Sequence, residues 1–167
     1  MRTIDEDIKN QTFRTAYLLY GEEAYLKNQY KDKLKAVLWQ EGDTMNAAFY
    51  QGRNTNPKEL IDLAETMPFF ADHRLILVED SGFFKSGAED LAEYMEHIPQ
   101  TTTFVFSETD VDKRSRMYKA LKNNGRIVEF AAQNQELLTR WLLGRLRREN
   151  KNITKAAMQE FFDRVGL

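Results

Sequence analysis

Apolar positions along the chain fall into two patterns that alternate. Short runs rich in branched and aromatic residues stand at Ala16-Tyr17-Leu18-Leu19-Tyr20, Asn46-Ala47-Ala48-Phe49-Tyr50, Leu75-Ile76-Leu77-Val78, Thr103-Phe104-Val105-Phe106 and, less apolar, Ile127-Val128-Glu129-Phe130. Between them lie amphipathic stretches at helical spacing over 22–39, 57–66, 88–97 and 114–123. Each is long enough for a crossover helix, so the alternation predicts an α/β fold with five strands in a parallel sheet flanked by helices. Near-continuous apolarity in the third and fourth runs fits strands covered on both faces, as in a doubly wound sheet. Asn56-Pro57 marks one helix start, because proline suits the first helical turn. The pattern assigns no element before Ala16.

After Phe130 the alternation stops. Two helices are expected at 134–149 and 154–165, with Thr154 as N-cap of the second. Residues 1–131 therefore read as an α/β domain, and 132–167 as the beginning of a small helical domain. Two helices alone would have to bury Trp141, Leu142, Leu146, Phe161 and Phe162, so the chain reads as a fragment of something longer.

Composition narrows the function more than the fold. Lys and Arg number 24 against 26 for Asp and Glu, a net charge of −2 that neither demands nor excludes a polyanionic partner. The chain has no cysteine, which removes disulfides, thiolate metal sites and cysteine nucleophiles and fits a reducing, cytoplasmic setting. No stretch approaches the roughly 18 apolar residues of a spanning helix, and the acidic start is unlike a signal peptide, so no membrane role is expected.

The positions where an α/β domain would hold its chemistry are poorly furnished. After the first strand, Gly21-Glu22-Glu23-Ala24-Tyr25-Leu26 lacks the glycines and the Lys-Ser/Thr pair of a phosphate loop, and its glutamates would repel phosphate. They read as ordinary first-turn carboxylates. Glu79-Asp80 ends the third strand where such folds hold a metal, but reads as a solvated pair. Asp110 and Asp112 lie beside Lys113, Arg114 and Arg116, which favours local ion pairing over a metal loop. His73 and His97 have no partner at triad or metal spacing. No catalytic residue, metal or cofactor is expected. Two basic clusters, Lys113, Arg114, Arg116, Lys119, Lys122 and Arg126, then Arg140, Arg145, Arg147 and Arg148, are candidate polyanion or subunit contacts. Aromatic interleaving in them is sparse, and a solvated face is the competing reading.

The most distinctive local feature is Met67-Pro68-Phe69-Phe70. Proline ends the second predicted helix and turns the residue before it out of α geometry, which leaves two phenylalanines at a corner. Either they fold back onto the sheet edge as core, or they anchor a partner, each ring contributing about 1.5–3 kcal/mol. One ring in and one out is the intermediate case.

Several segments in order resemble the delta subunit of the bacterial DNA polymerase III clamp loader: Tyr17-Leu18-Leu19-Tyr20-Gly21-Glu22-Glu23, Met67-Pro68-Phe69-Phe70-Ala71 with Arg74-Leu75-Ile76-Leu77-Val78, Asp112-Lys113-Arg114 with Tyr118-Lys119-Ala120-Leu121-Lys122, and Val128-Glu129-Phe130. The resemblance covers nearly the whole chain. It implies a RecA-like domain of clamp-loader ATPase type with its ATP site lost, then the start of a helical domain. It also implies a subunit that binds the sliding clamp (the beta subunit) and helps to open the ring, while other loader subunits hydrolyse ATP. The parent holoenzyme is a DNA-directed DNA polymerase, a nucleotidyltransferase, and DNA would be met through the assembled complex. By position, Phe69 and Phe70 match the family's clamp-entering hydrophobic pair, with phenylalanine where leucine is commoner; Met67 is expected to pack beneath them and Pro68 to set the corner. The family's C-terminal collar, which joins the loader subunits, lies outside this sequence. The rival readings are a nucleoside-triphosphatase with an atypical loop and a non-catalytic protein- or nucleic-acid-binding module outside replication.

Overall fold

In a computed structural model, residues 2–131, 135–149 and 151–165 are described. Two compact units are present, Met1–Ala131 and Ala132–Leu167. In the first, α1 (Arg2–Asn10) precedes β1 (Ala16–Tyr20), and α2 (Ala24–Leu38), α3 (Pro57–Glu65), α4 (Glu89–Tyr94) and α5 (Arg116–Asn124) alternate with β2 (Ala47–Gln51), β3 (Arg74–Glu79), β4 (Thr102–Glu108) and β5 (Arg126–Glu129). The five strands form one sheet in the order β2-β3-β4-β1-β5, and every neighbouring pair is parallel.

Alternation along each strand divides the core in two. Ala16, Leu18 and Tyr20 of β1 point to the layer of α3, α4 and α5, where Leu60, Leu91, Met117 and Leu121 are buried. Tyr17 and Leu19 point to the other layer, with Ile4 of α1 and Tyr30, Leu34 and Leu38 of α2. Strands β1 and β4 are buried along their whole length, as central strands covered on both faces must be. Phe104 and Phe106 stack at 5.6 Å, and Phe84 meets Phe106 edge-on.

The five predicted strands are present, the first with the predicted ends and the others with ends displaced by one or two residues. At α3, Asn56 Oδ1 accepts the Lys58 N–H at 3.1 Å and Pro57 opens the first turn. The segment 88–97 is helical only over Glu89–Tyr94. Helix α1 has no counterpart in the sequence reading. Only Ile4 and Ile8 are apolar and face inward along it, too few to make a period. It is held by the buried Ile4 and by Asp7, which accepts from Tyr17 Oη at 3.0 Å and from Arg126 Nη2 at 2.8 Å.

The second unit contains α6 (Gln135–Arg148) and α7 (Lys155–Val165). Thr154 Oγ1 accepts the Ala157 N–H at 3.2 Å, the N-cap bond expected there. Leu142 and Leu146 are half-buried and Phe161 is exposed. The side chains of Arg140, Trp141 and Phe162 lie outside the described residues. Among the described residues no helix is long and apolar enough to cross a membrane.

Candidate functional site

The α3–β3 connection carries the corner. Helix α3 ends where Thr66 adopts extended backbone (ψ 125°), because Pro68 follows and the chain cannot continue in α geometry. Since β3 begins eight residues later, the corner lies at the end of the sheet where strands start. Phe69 is 57% and Phe70 96% exposed, and their rings meet edge to face at 4.6 Å. Neither ring enters the core, so the reading that folds the pair onto the sheet edge does not hold. The two rings together present an apolar surface to solvent.

Met67 corrects the expectation that it packs beneath the rings: it is 77% exposed and adds to the apolar surface. The ground below the corner is polar. Asn46 and Arg74 are buried there, Asn46 bonded to Phe69 and Arg74 to the carbonyls of Thr66 and Met67. Pro68 is half-buried at the bend. Met45, next to Asn46, is also exposed and gives its carbonyl to the same guanidinium. Asn46 donates to Asp43 Oδ2 at 2.7 Å; this bond, with the backbone N–H of Met45, holds the Asp43 carboxyl below the usual carboxylate range. Sequence reasoning missed Asn46 and Arg74 because their partners are backbone groups of distant residues, which no side-chain pattern announces.

At the opposite end of the sheet, the loop after β1 is closed by its own backbone. The Gly21 N–H donates to the Glu108 carbonyl at 3.2 Å and the Glu23 N–H to the Phe130 carbonyl at 3.0 Å. Gly21 has φ of +127°, and a Cβ there would stand 2.2 Å from Phe130 O, so only glycine fits. Lys27 lies six residues beyond Gly21, the separation at which a phosphate loop places its lysine, a signal the sequence reading passed over. Its Nζ is turned inward and donates to the carbonyls of Gly21 at 3.0 Å and Glu108 at 2.9 Å, and burial pushes its ammonium pKa down. Glu108 is itself buried, accepting from Ser81 Oγ at 2.6 Å and Ser81 N–H at 3.0 Å; burial pushes its carboxyl up.

The remaining candidates are dispersed. Glu79 pairs with Lys31 at 2.6 Å, and Asp80 is exposed. Among the described residues no three His, Cys, Asp or Glu side chains are grouped to hold a metal. Asp112 pairs with Arg114 at 3.1 Å and Asp110 with Lys85 at 2.8 Å. His73 packs edge-on against Phe13, and His97 is exposed. In the first basic cluster, acidic residues from elsewhere in the chain close in: Lys113 meets Glu129 at 3.0 Å and Arg116 meets Glu89 at 3.6 Å, while Lys119 and Lys122 are exposed.

A five-stranded parallel sheet in this order, flanked by helices, is a RecA-like α/β fold. The same fold is found in the Bacillus subtilis DNA clamp loader delta protein, which superposes with a TM-score of 0.76 over 96% of this chain and 51% of that one at 22% identity. A DNA polymerase III gamma subunit-related protein from Thermotoga maritima shares it more distantly, with a TM-score of 0.56 at 11% identity over 83% of this chain and 49% of that one. The sequence model of the DNA polymerase III delta subunit matches residues 17–131, and the chain belongs to that family. It is 26% identical to DNA polymerase III subunit delta of Bacillus subtilis over 91% of this chain and 48% of that protein, so it spans about half the length of the relatives it matches.

Proposed function

We propose that this chain is the clamp-gripping part of a clamp-loader delta subunit, which docks Phe69 and Phe70, flanked by Met67 over the Pro68 bend, into an apolar pocket on the sliding clamp. The observation that carries this is the exposed aromatic pair, displayed at the end of the sheet away from the post-β1 loop. Two rings that leave water on docking contribute about 1.5–3 kcal/mol each, the scale of an interface hot spot.

Ring opening asks for no bond chemistry from this subunit. It follows when the tip binds a clamp whose closed interface is distorted better than the relaxed clamp, because a ligand shifts an equilibrium by its difference in affinity for the two states. The closed post-β1 loop, with its amides and Lys27 engaged internally, supports a subunit that leaves ATP hydrolysis to its neighbours. In this reading the second unit begins a helical domain, the other loader subunits join through a C-terminal region beyond this sequence, DNA is met through the assembled complex, and Lys113, Arg114, Arg116 and Lys119 face a neighbouring subunit or a polyanion. The setting is the cytoplasm.

Changing Phe69 and Phe70 together to alanine should abolish capture of the chain by immobilised clamp while leaving its circular-dichroism melt nearly unchanged. Retained capture would sink the proposal, and a collapsed melt would show that the rings serve the core instead.

A further inference from the structure

The geometry points to Asn46 and Arg74 as positioning residues that hold the tip in its docking shape before the partner arrives, an inference that rests on the reading of Phe69 and Phe70 as the clamp anchor. Asn46 is 4% and Arg74 5% exposed, burial that polar groups tolerate only when their hydrogen bonds are made. Asn46 makes them to both backbone groups of one tip residue: Oδ1 accepts the Phe69 N–H at 2.6 Å, and Nδ2 donates to the Phe69 carbonyl at 2.9 Å. Its other amide hydrogen goes to Asp43 Oδ2. A flipped amide would set donor against donor at Phe69, so the network admits one orientation.

Arg74 fixes the chain that leads into the tip and the segment before β2. Nε donates to the Thr66 carbonyl, Nη2 to the Met67 carbonyl and Nη1 to the Met45 carbonyl, each at 3.1 Å. A guanidinium presents these donors in one rigid plane, so three carbonyls that meet it have their relative positions set. Asn46 and Arg74 stand at the starts of neighbouring paired strands, where Leu75 N–H donates to the Asn46 carbonyl at 2.9 Å. The tip is therefore tied to the sheet rather than to its own loop.

The consequence appears at Phe70, whose φ is +50°. A bulky residue occupies that left-handed region only when its surroundings impose it. With Phe69 pinned at both backbone groups, the bend carries both rings outward and edge to face. A tip built this way loses little conformational freedom on docking, which raises affinity without adding a contact.

The test compares Asn46→Ala with the parent chain, reading amide hydrogen exchange and the kinetics of binding to the purified sliding clamp by surface plasmon resonance. Exchange at the Phe69 amide should accelerate while Leu75–Val78 stay protected. Apparent affinity should fall about tenfold, mostly through slower association, as for a tip that holds the docking shape about a tenth of the time. Unchanged Phe69 exchange, or faster exchange with unchanged clamp affinity, overturns the positioning role. Undiminished binding by the Phe69→Ala, Phe70→Ala double variant overturns the anchor reading instead. Should Asn46→Ala fail to fold, Arg74→Lys, which keeps a charge and loses the fork, is read by the clamp-binding kinetics: a comparable fall in affinity through slower association is expected, and unchanged kinetics overturn the positioning role.

Discussion

Phe70, at 96% exposure, gives the free protein almost nothing, since hydrophobic stabilisation follows area removed from water. Replacing it alone with alanine should change unfolding free energy in urea by no more than about 0.5 kcal/mol, while weakening clamp binding by about 1.5–3 kcal/mol. Gly21→Ala should show the opposite balance. Its Cβ would run into Phe130 O at a φ of +127°, and a urea titration should register a loss of about 3 kcal/mol or outright unfolding. The aromatic pair was legible because proline placed two large apolar residues in a connection. Met67 was misplaced because an apolar residue beside two others suggests packing, and nothing in the string shows that the ground below is occupied by Asn46 and Arg74. Those two were illegible for a related reason: they bond to backbone 23 and 8 residues away, and backbone has no letter in the sequence.

At the scale of elements, β1, β3 and β4 were readable because strands buried on both faces carry a continuous apolar run at their centre, and the crossover helices because each fills the gap between two such runs. Helix α1 was not, since only Ile4 and Ile8 anchor it in the core and the rest of its attachment is polar. Tyr17 of β1 donates to Asp7 of α1, and burial, together with that carboxylate, pushes the Tyr17 phenol up to about 12 from its ordinary 10.0. The unfolded chain thus releases this proton near pH 10 while the folded chain keeps it, so the bond's contribution is full below pH 10 and declines as pH rises to about 12. Tyr30, bonded to Asp5 at 2.7 Å and likewise pushed up to about 12, adds to the same decline. Melting temperature should therefore fall across this window, and Tyr17→Phe should start lower and fall less steeply. A variant that melts with the parent's full slope would show that the α1–β1 contact is unimportant.

Across the first unit, the two ends of the sheet do different things. Where the strands finish, carbonyls of Gly21, Glu108 and Phe130 engage the groups that a phosphate loop would aim at a nucleotide. Where they begin, buried polar residues press apolar ones outward. The ordered set of segments carried the family in the sequence, whereas the first basic cluster suggested more free charge than exists, because Glu129 and Glu89 reach it only in the folded chain. Recognition of the clamp is tested most directly by calorimetric titration of the purified sliding clamp into this chain at several temperatures. It predicts saturable binding with a negative heat-capacity change, the mark of apolar surface leaving water, and loss of that binding in the Phe69→Ala, Phe70→Ala variant. No binding by the parent chain, or equal binding by the variant, would contradict it.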